Sequence, residues 1–186
     1  MQLLPIRRAG RSSLIGPESI RELVFGVEDG VVQNLTLIAG MVGGGLSNTV
    51  IVFAGAINAI AGVLSMSMGT YLSSKAEQDV AAATESGPTG QGEPGRDALV
   101  MAAAYAFGAV VPIVPFAVGL LSSAAALAAA VVLALVTLFL LGYGKAMVSH
   151  QDRVRSGLEM LVLASAAGVA GFLLGAIARG VFNLDI

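Results

Sequence analysis

Three stretches of this chain carry no Asp, Glu, Lys or Arg: residues 30–74, 98–144 and 160–178. A helix that crosses about 30 Å of hydrocarbon needs roughly 20 apolar residues. The first two stretches are therefore each long enough for two crossings, and the third for one. A soluble domain carries about 25% charged residues; here the figure is 12%, in a chain that is 56% hydrophobic. The pattern predicts an all-α integral membrane protein with five transmembrane helices.

The punctuation of the chain divides it further. Residues 1–16 read as a cytoplasmic tail, without the continuous apolar core of a signal peptide. Residues 17–73 form a transmembrane hairpin. Pro17 and Glu18 suit a helix start, a first helix runs over 17–46, Gly43 to Gly45 with Ser47 and Asn48 make the turn, and a second helix covers 49–73. Residues 74–97 are polar and rich in Gly and Pro, which predicts a flexible cytoplasmic loop. Helices three to five occupy 98–181, at about 98–121, 123–147 and 158–181, and 182–186 form a short tail. Pro112 and Pro115 fall inside the third helix, where they kink it and free backbone carbonyls.

Nine of the ten Lys and Arg residues fall at one end of the helices: Arg7, Arg8, Arg11 and Arg21 in the first 22 residues, Lys75 and Arg96 in the loop after the second helix, and Lys145, Arg153 and Arg155 around the loop after the fourth; only Arg179 lies at the other end. The positive-inside rule then puts the N-terminus in the cytoplasm and the C-terminus outside. With no cysteine in the chain, disulfides and thiolate metal sites are excluded. No phosphate-binding glycine loop, His-Glu metal motif or Ser/His/Asp set is present, so an enzyme is not expected. The basic residues are placed by topology and form no nucleic-acid patch. The short chain favours a prokaryotic inner membrane.

The hairpin carries the residues that a purely structural span does not need. Asp29, Gln33, Thr36, Gly40 and Gly44 recur at steps of three and four and so share one face of the first helix. Asn58, Gly62, Met66, Gly69 and Ser73 form a matching stripe on the second. Asp29 lies 18 residues before Ser47 and Met66 lies 19 after it. Each is thus roughly 27–29 Å from the turn, which puts a carboxylate and a thioether at one level. Thr36 and Asn58 form a second level nearer the turn. An acid inside a span marks an ion path by default. A mixed oxygen and sulfur site suits a borderline ion such as Fe²⁺ better than Mg²⁺ or Ca²⁺. Glu28 points about 100° away from Asp29 along the helix.

At these residues the chain resembles the vacuolar iron transporter family. The segments are RELVFGVEDGVV (21–32), GVLSMSMGTYLSSKAEQD (62–79) and AYAFGAVVPIVPF (104–116), and the resemblance covers 21–181 outside the 75–97 loop. It implies export of Fe²⁺, with Mn²⁺ as a second substrate, from the cytoplasm in exchange for protons, by a homodimer whose first two helices line the path. By position, Asp29 is the acid of that path and Met66 its thioether ligand. Asn58 stands where several members carry an acid, and Thr70 where some carry Glu. The Glu-rich cytoplasmic domain of many eukaryotic members is replaced by the 75–97 loop. The metal-site candidates are Asp29, Met66, Glu28, Asn58, Thr36 and Thr70. The metal is cargo, and no cofactor is expected.

Plainer readings stay open beside these. Asp29 can be a structural acid paired with Arg21 or Lys75; Met66 and Met68 can be packing, which methionine does readily; Asn58, Thr36 and Gln33 can serve helix-to-helix bonding; and His150 reads as solvated. For the whole chain, the alternative is a non-transporting membrane component that docks a metal-storage partner through the basic 145–157 loop. A transporter of another ion or organic cation on the same scaffold is a third reading.

Overall fold

The structure is a computed structural model that describes residues 19–84 and 93–182. The described residues are helical throughout, with no strand: α1 (Ile20–Gly43), α2 (Asn48–Ala83), α3 (Pro94–Val110), α4 (Val114–Ala117), α5 (Ser123–Ser149) and α6 (Arg153–Phe182). The expected tail at 1–16, all but residue 182 of the expected tail at 182–186, and the middle of the expected loop lie outside the described residues.

Each boundary has a local cause. Gly45 adopts φ +83° and closes α1 with Gly45 N–H on the Val42 carbonyl and Leu46 N–H on the Met41 carbonyl, both 3.0 Å. This is the paired Schellman pattern, which needs a residue free to be left-handed. α3 opens with Pro94 in its first turn. It stops at Val110 because Pro112 supplies no N–H, and the chain tightens into i→i−3 bonds, with Val111 N–H on Gly108 O and Ile113 N–H on Val110 O. Ser122 caps α5 by accepting from the Ala125 N–H. The Asp152 carboxylate accepts from both Val154 and Arg155 at 3.0 Å and starts α6.

Three expectations change here. α2 does not end at 73 but runs to Ala83, since KAEQDVAAA contains good helix formers and no Gly or Pro; polarity there marks a helix leaving the apolar zone and not a loop. The third expected helix is not one kinked rod over 98–121. It breaks into α3 and the single turn α4 across residues 111–113. α6 starts at Arg153, five residues before the expected 158, on the Asp152 cap.

Three of the helices, α2, α5 and α6, are by length and composition able to cross a membrane. α1 carries Arg21, Glu22, Glu28 and Asp29 in its first half, and α3 has only 17 residues. Side chains such as Phe53, Ile60, Leu64, Val132, Leu140, Leu163 and Leu174 stand more than 50% exposed. An apolar outer surface of this extent belongs in lipid or against another apolar surface. The protein is an all-α integral membrane protein.

α1 is the hub. It packs against α3 and α6 over most of its length and against α5 in between, whereas α2 rests mainly on α3 and α5 pairs with α6. Val27, Val31, Leu35 and Ile38 form its buried stripe. Two core clusters result: Val27, Val31 and Leu35 with Ala104, Ala134, Leu138, Met160 and Ala164, and Ile38 with Ile51, Ile113, Phe116, Ala126 and Ala130. The buried stripe of α5 (Ala126, Ala130, Ala134, Leu138, Gly142, Ala146) is small at nearly every position and lets its neighbours approach closely. At one end of the bundle Asn48 donates to the Leu121 carbonyl at 3.0 Å and accepts from Ser123 at 2.7 Å. Arg179 lies against Gly45 at the same end.

Candidate functional site

Because α1 is drawn toward α3 and α6 while α2 leans on α3, the two arms of the hairpin part over their middle. The gap is a cavity of about 400 Å³, open on one side, lined by Asp29, Val32, Gln33 and Thr36 of α1 and by Gly62, Ser65 and Met66 of α2. The helical period places 29, 32, 33 and 36 on one face, and 62, 65 and 66 on another. Asp29 and Met66, set at one level by counting from the turn, line the same cavity.

The donor set is mixed. Asp29 offers the carboxylate, Met66 a thioether, and Thr36 and Ser65 hydroxyls. The Thr36 hydroxyl donates to the Val32 carbonyl of its own helix at 2.7 Å, so its proton is taken and its oxygen lone pairs remain. Among the described residues no group of three or more His, Cys, Asp and Glu is placed to hold a metal. Any ion held here therefore relies on one carboxylate together with neutral oxygen and sulfur. Such a set is weaker in charge than an all-carboxylate cage and more favourable to borderline ions.

The remaining candidates sit elsewhere. Asn58 does not line the cavity: its amide donates to Oδ1 of Asn34 at 2.7 Å. Thr70 is half-buried one helical turn beyond Met66, and Glu28 is half-buried; neither lines the cavity. Arg21 pairs with its neighbour Glu22 at 3.5 Å. Asp97 accepts from Ser74 at 3.3 Å and lies 3.7 Å from Arg96, which ties the far ends of α2 and α3. His150 takes a left-handed conformation, φ 54°, and ends α5.

Two residues that hold the walls went unnoticed in the sequence. Asn34 is fully buried and joins three helices: its amide nitrogen donates to the Ala109 carbonyl at 2.8 Å and, more weakly, to the Gly55 carbonyl at 3.4 Å, while its oxygen accepts from Asn58. The Ala109 carbonyl is the one that Ile113 N–H would take in an unbroken helix; Ile113 bonds to Val110 instead. Asn34 thus replaces the donor lost at the break in α3. Its signal was a polar residue one position off the polar stripe. Tyr105, fully buried on α3, donates its hydroxyl to Oε1 of Gln33.

Comparison with known proteins gives a consistent picture. The sequence profile of the VIT family matches residues 20–91 and 81–176. Vacuolar iron transporter 1 of Arabidopsis thaliana is 24% identical, with 87% of this chain and 87% of that protein covered. Vacuolar iron transporter 1 of Eucalyptus grandis is also 24% identical, over 83% of this chain and 84% of that protein. The vacuolar iron transporter of Centaurea cyanus reaches 37% over a shorter segment, 33% of this chain and 25% of that protein. These relatives are plant proteins named for the vacuole and lend no support to the prokaryotic inner membrane expected from chain length.

Proposed function

The chain belongs to the VIT family, and from that premise we propose that it is a membrane transporter of Fe²⁺, with Mn²⁺ as a second substrate, that exports the ion from the cytoplasm in exchange for protons. The observation that carries this reading is the cavity in which Asp29 and Met66 meet between α1 and α2. In the proposed cycle ionised Asp29 holds the metal, Met66 supplies the thioether, and a proton takes the metal's place on Asp29 for the return step. The reading is of transport and not of catalysis.

The proposal includes the topology and the assembly. α1, α2, α3 with α4, α5 and α6 would make five crossings, with the N-terminus in the cytoplasm and the C-terminus outside, as the Lys and Arg distribution favours. A single chain supplies one carboxylate to a cavity that is open on one side. A homodimer facing across the hairpin would close it and bring a second Asp29 toward the ion. The scant burial of α2, which covers only Ile51, Gly55 and Gly62 in 36 residues, suits it to be the moving wall. Membership in a family of named transporters weighs against the docking-component alternative.

The test is Fe²⁺ uptake into proteoliposomes that contain this protein alone, under an imposed pH gradient. Flux that follows the gradient, is blocked by Mn²⁺ and is indifferent to Ca²⁺ is the expected result. Asp29→Ala is expected to abolish that flux while the protein stays folded. Wild-type rates in the variant would remove Asp29 from the mechanism, and no flux from folded wild-type protein would remove the transporter reading itself.

A further inference from the structure

The cavity wall has a second layer, and it comes from the third helix. Tyr105 is completely buried, and its hydroxyl donates to Oε1 of Gln33, a residue that lines the cavity one helical turn from Asp29. To reach Gln33 the ring crosses Gly62 of α2, where a β-carbon would overlap the phenol. Three helices are therefore shaped around a single hydrogen bond beside the ion path.

The orientation of that bond follows from donor and acceptor counting. A phenol has one proton to give, and a buried proton needs an acceptor. A glutamine amide has an oxygen that only accepts and a nitrogen that only donates. With the amide reversed, the nitrogen would face Tyr105 and the phenol proton would lose its acceptor. Tyr105 thus fixes the amide, with the carbonyl oxygen turned toward α3 and the NH₂ group turned away from it. Gln33 would otherwise be a good oxygen ligand, placed on the same face as Asp29 and Thr36.

We propose that Tyr105 is a selectivity-determining positioning residue: by holding the Gln33 carbonyl oxygen, it keeps a hard ligand out of the cavity and leaves the choice of ion to Asp29 and Met66. The inference rests on the transport reading of the same cavity. Without the phenol hydroxyl, the Gln33 amide is free to turn its oxygen inward. The cavity then presents that oxygen with those of Asp29, Thr36 and Ser65, a set that favours Ca²⁺ and Mg²⁺.

The experiment is competition in proteoliposomes with Tyr105→Phe, which removes one oxygen atom and keeps the ring. Ca²⁺, to which wild-type uptake is indifferent, is expected to inhibit Fe²⁺ uptake in this variant, with its affinity for the cavity raised about tenfold, the scale of one added polar contact to a charge. The double variant Tyr105→Phe with Gln33→Leu deletes the released oxygen and is expected to return Ca²⁺ inhibition to the wild-type level. A purely structural Tyr105 would show no such return. If Tyr105→Phe does not fold, Gly62→Ala, whose β-carbon would push the phenol hydroxyl off Gln33, is expected to strengthen Ca²⁺ inhibition in the same direction, and unchanged inhibition there overturns the proposal. Unchanged Ca²⁺ inhibition in Tyr105→Phe, or a double variant that behaves like the single one, overturns the proposal. The shift of the unfolding midpoint of purified protein by Ca²⁺ and by Fe²⁺ reads the same selectivity without flux. Absence of flux in the wild type then counts against transport, while an unchanged Ca²⁺ shift in Tyr105→Phe counts against the role of Tyr105.

Discussion

The two arms of the α1–α2 hairpin are neighbours in sequence and opposites in packing. α1 buries nine of its 24 residues, among them Asn34 and the Val27, Val31, Leu35 and Ile38 stripe. α2 buries three of its 36, and two of those are glycines. The cavity lies between them, so its carboxylate stands on the clamped arm and its thioether on the loose one. The contrast teaches that the site combines one wall fixed by the core with one wall that rests on little more than α3. Segments that open or move are drawn from such poorly packed regions.

The largest effect is expected from undoing the clamp. Asn34→Leu leaves the Ala109 and Gly55 carbonyls and the Asn58 amide without their partner. A cost of about 2–4 kcal/mol is expected, from unsatisfied buried groups at ~1–3 kcal/mol each, and is read as a lower unfolding midpoint in detergent. An unchanged midpoint would mean that the α3 break is held by other means.

Next is the seam of α1 with α3. A β-carbon at Gly30 would stand 2.8 Å from the Ala109 nitrogen and closer still to the Tyr105 carbonyl, both backbone atoms. Gly30→Ala is expected to destabilise the protein by about 1–3 kcal/mol through overpacking, again read by thermal unfolding.

A smaller effect, on transport instead of folding, is expected on the loose arm. Met66→Leu keeps the volume and removes the sulfur, and Fe²⁺ uptake is expected to fall about tenfold while the unfolding midpoint moves by less than the ~1.5 kcal/mol usual for such swaps. A large loss of stability with unchanged flux would reassign Met66 to packing.

The smallest effect sharpens the comparison from the other side. Gly69 on α2 has nothing within 4 Å of its β-carbon position. Gly69→Ala is expected to be neutral or to stabilise by up to about 1 kcal/mol through helix propensity, the reverse of Gly30→Ala on the clamped arm.

Much of this was legible without coordinates, because a bilayer imposes its own period. The charge-free blocks located the long helices, and the spacing of Asp29, Gln33 and Thr36 marked the face of α1 that lines the cavity. Counting residues from the turn put Met66 at the level of Asp29. What failed to show was tertiary. Asn34 sits one residue off the polar stripe, and its partner is a carbonyl freed 75 residues away by a proline-induced break. Tyr105 reads as packing in an apolar span until Gly62, on another helix, is seen to make room for its hydroxyl. The extension of α2 is hidden in the sequence because the polar side chains of 75–83 look like a loop, although the segment contains good helix formers and no breaker.

That extension has a geometric consequence. α2 continues without interruption from its glycine contacts at Gly55 and Gly62 to Ala83. Gly55 lies roughly 16 Å along the axis from Met66 and roughly 42 Å from Ala83. A tilt about Gly55 that displaces Met66 by about 1 Å displaces the Ala83 end by about 2.5 Å at this rise per residue. The stretch with Lys75, Glu77 and Asp79 is thus the long arm of a lever whose short arm carries the thioether, and whatever grips the long arm acts on the cavity at a mechanical advantage.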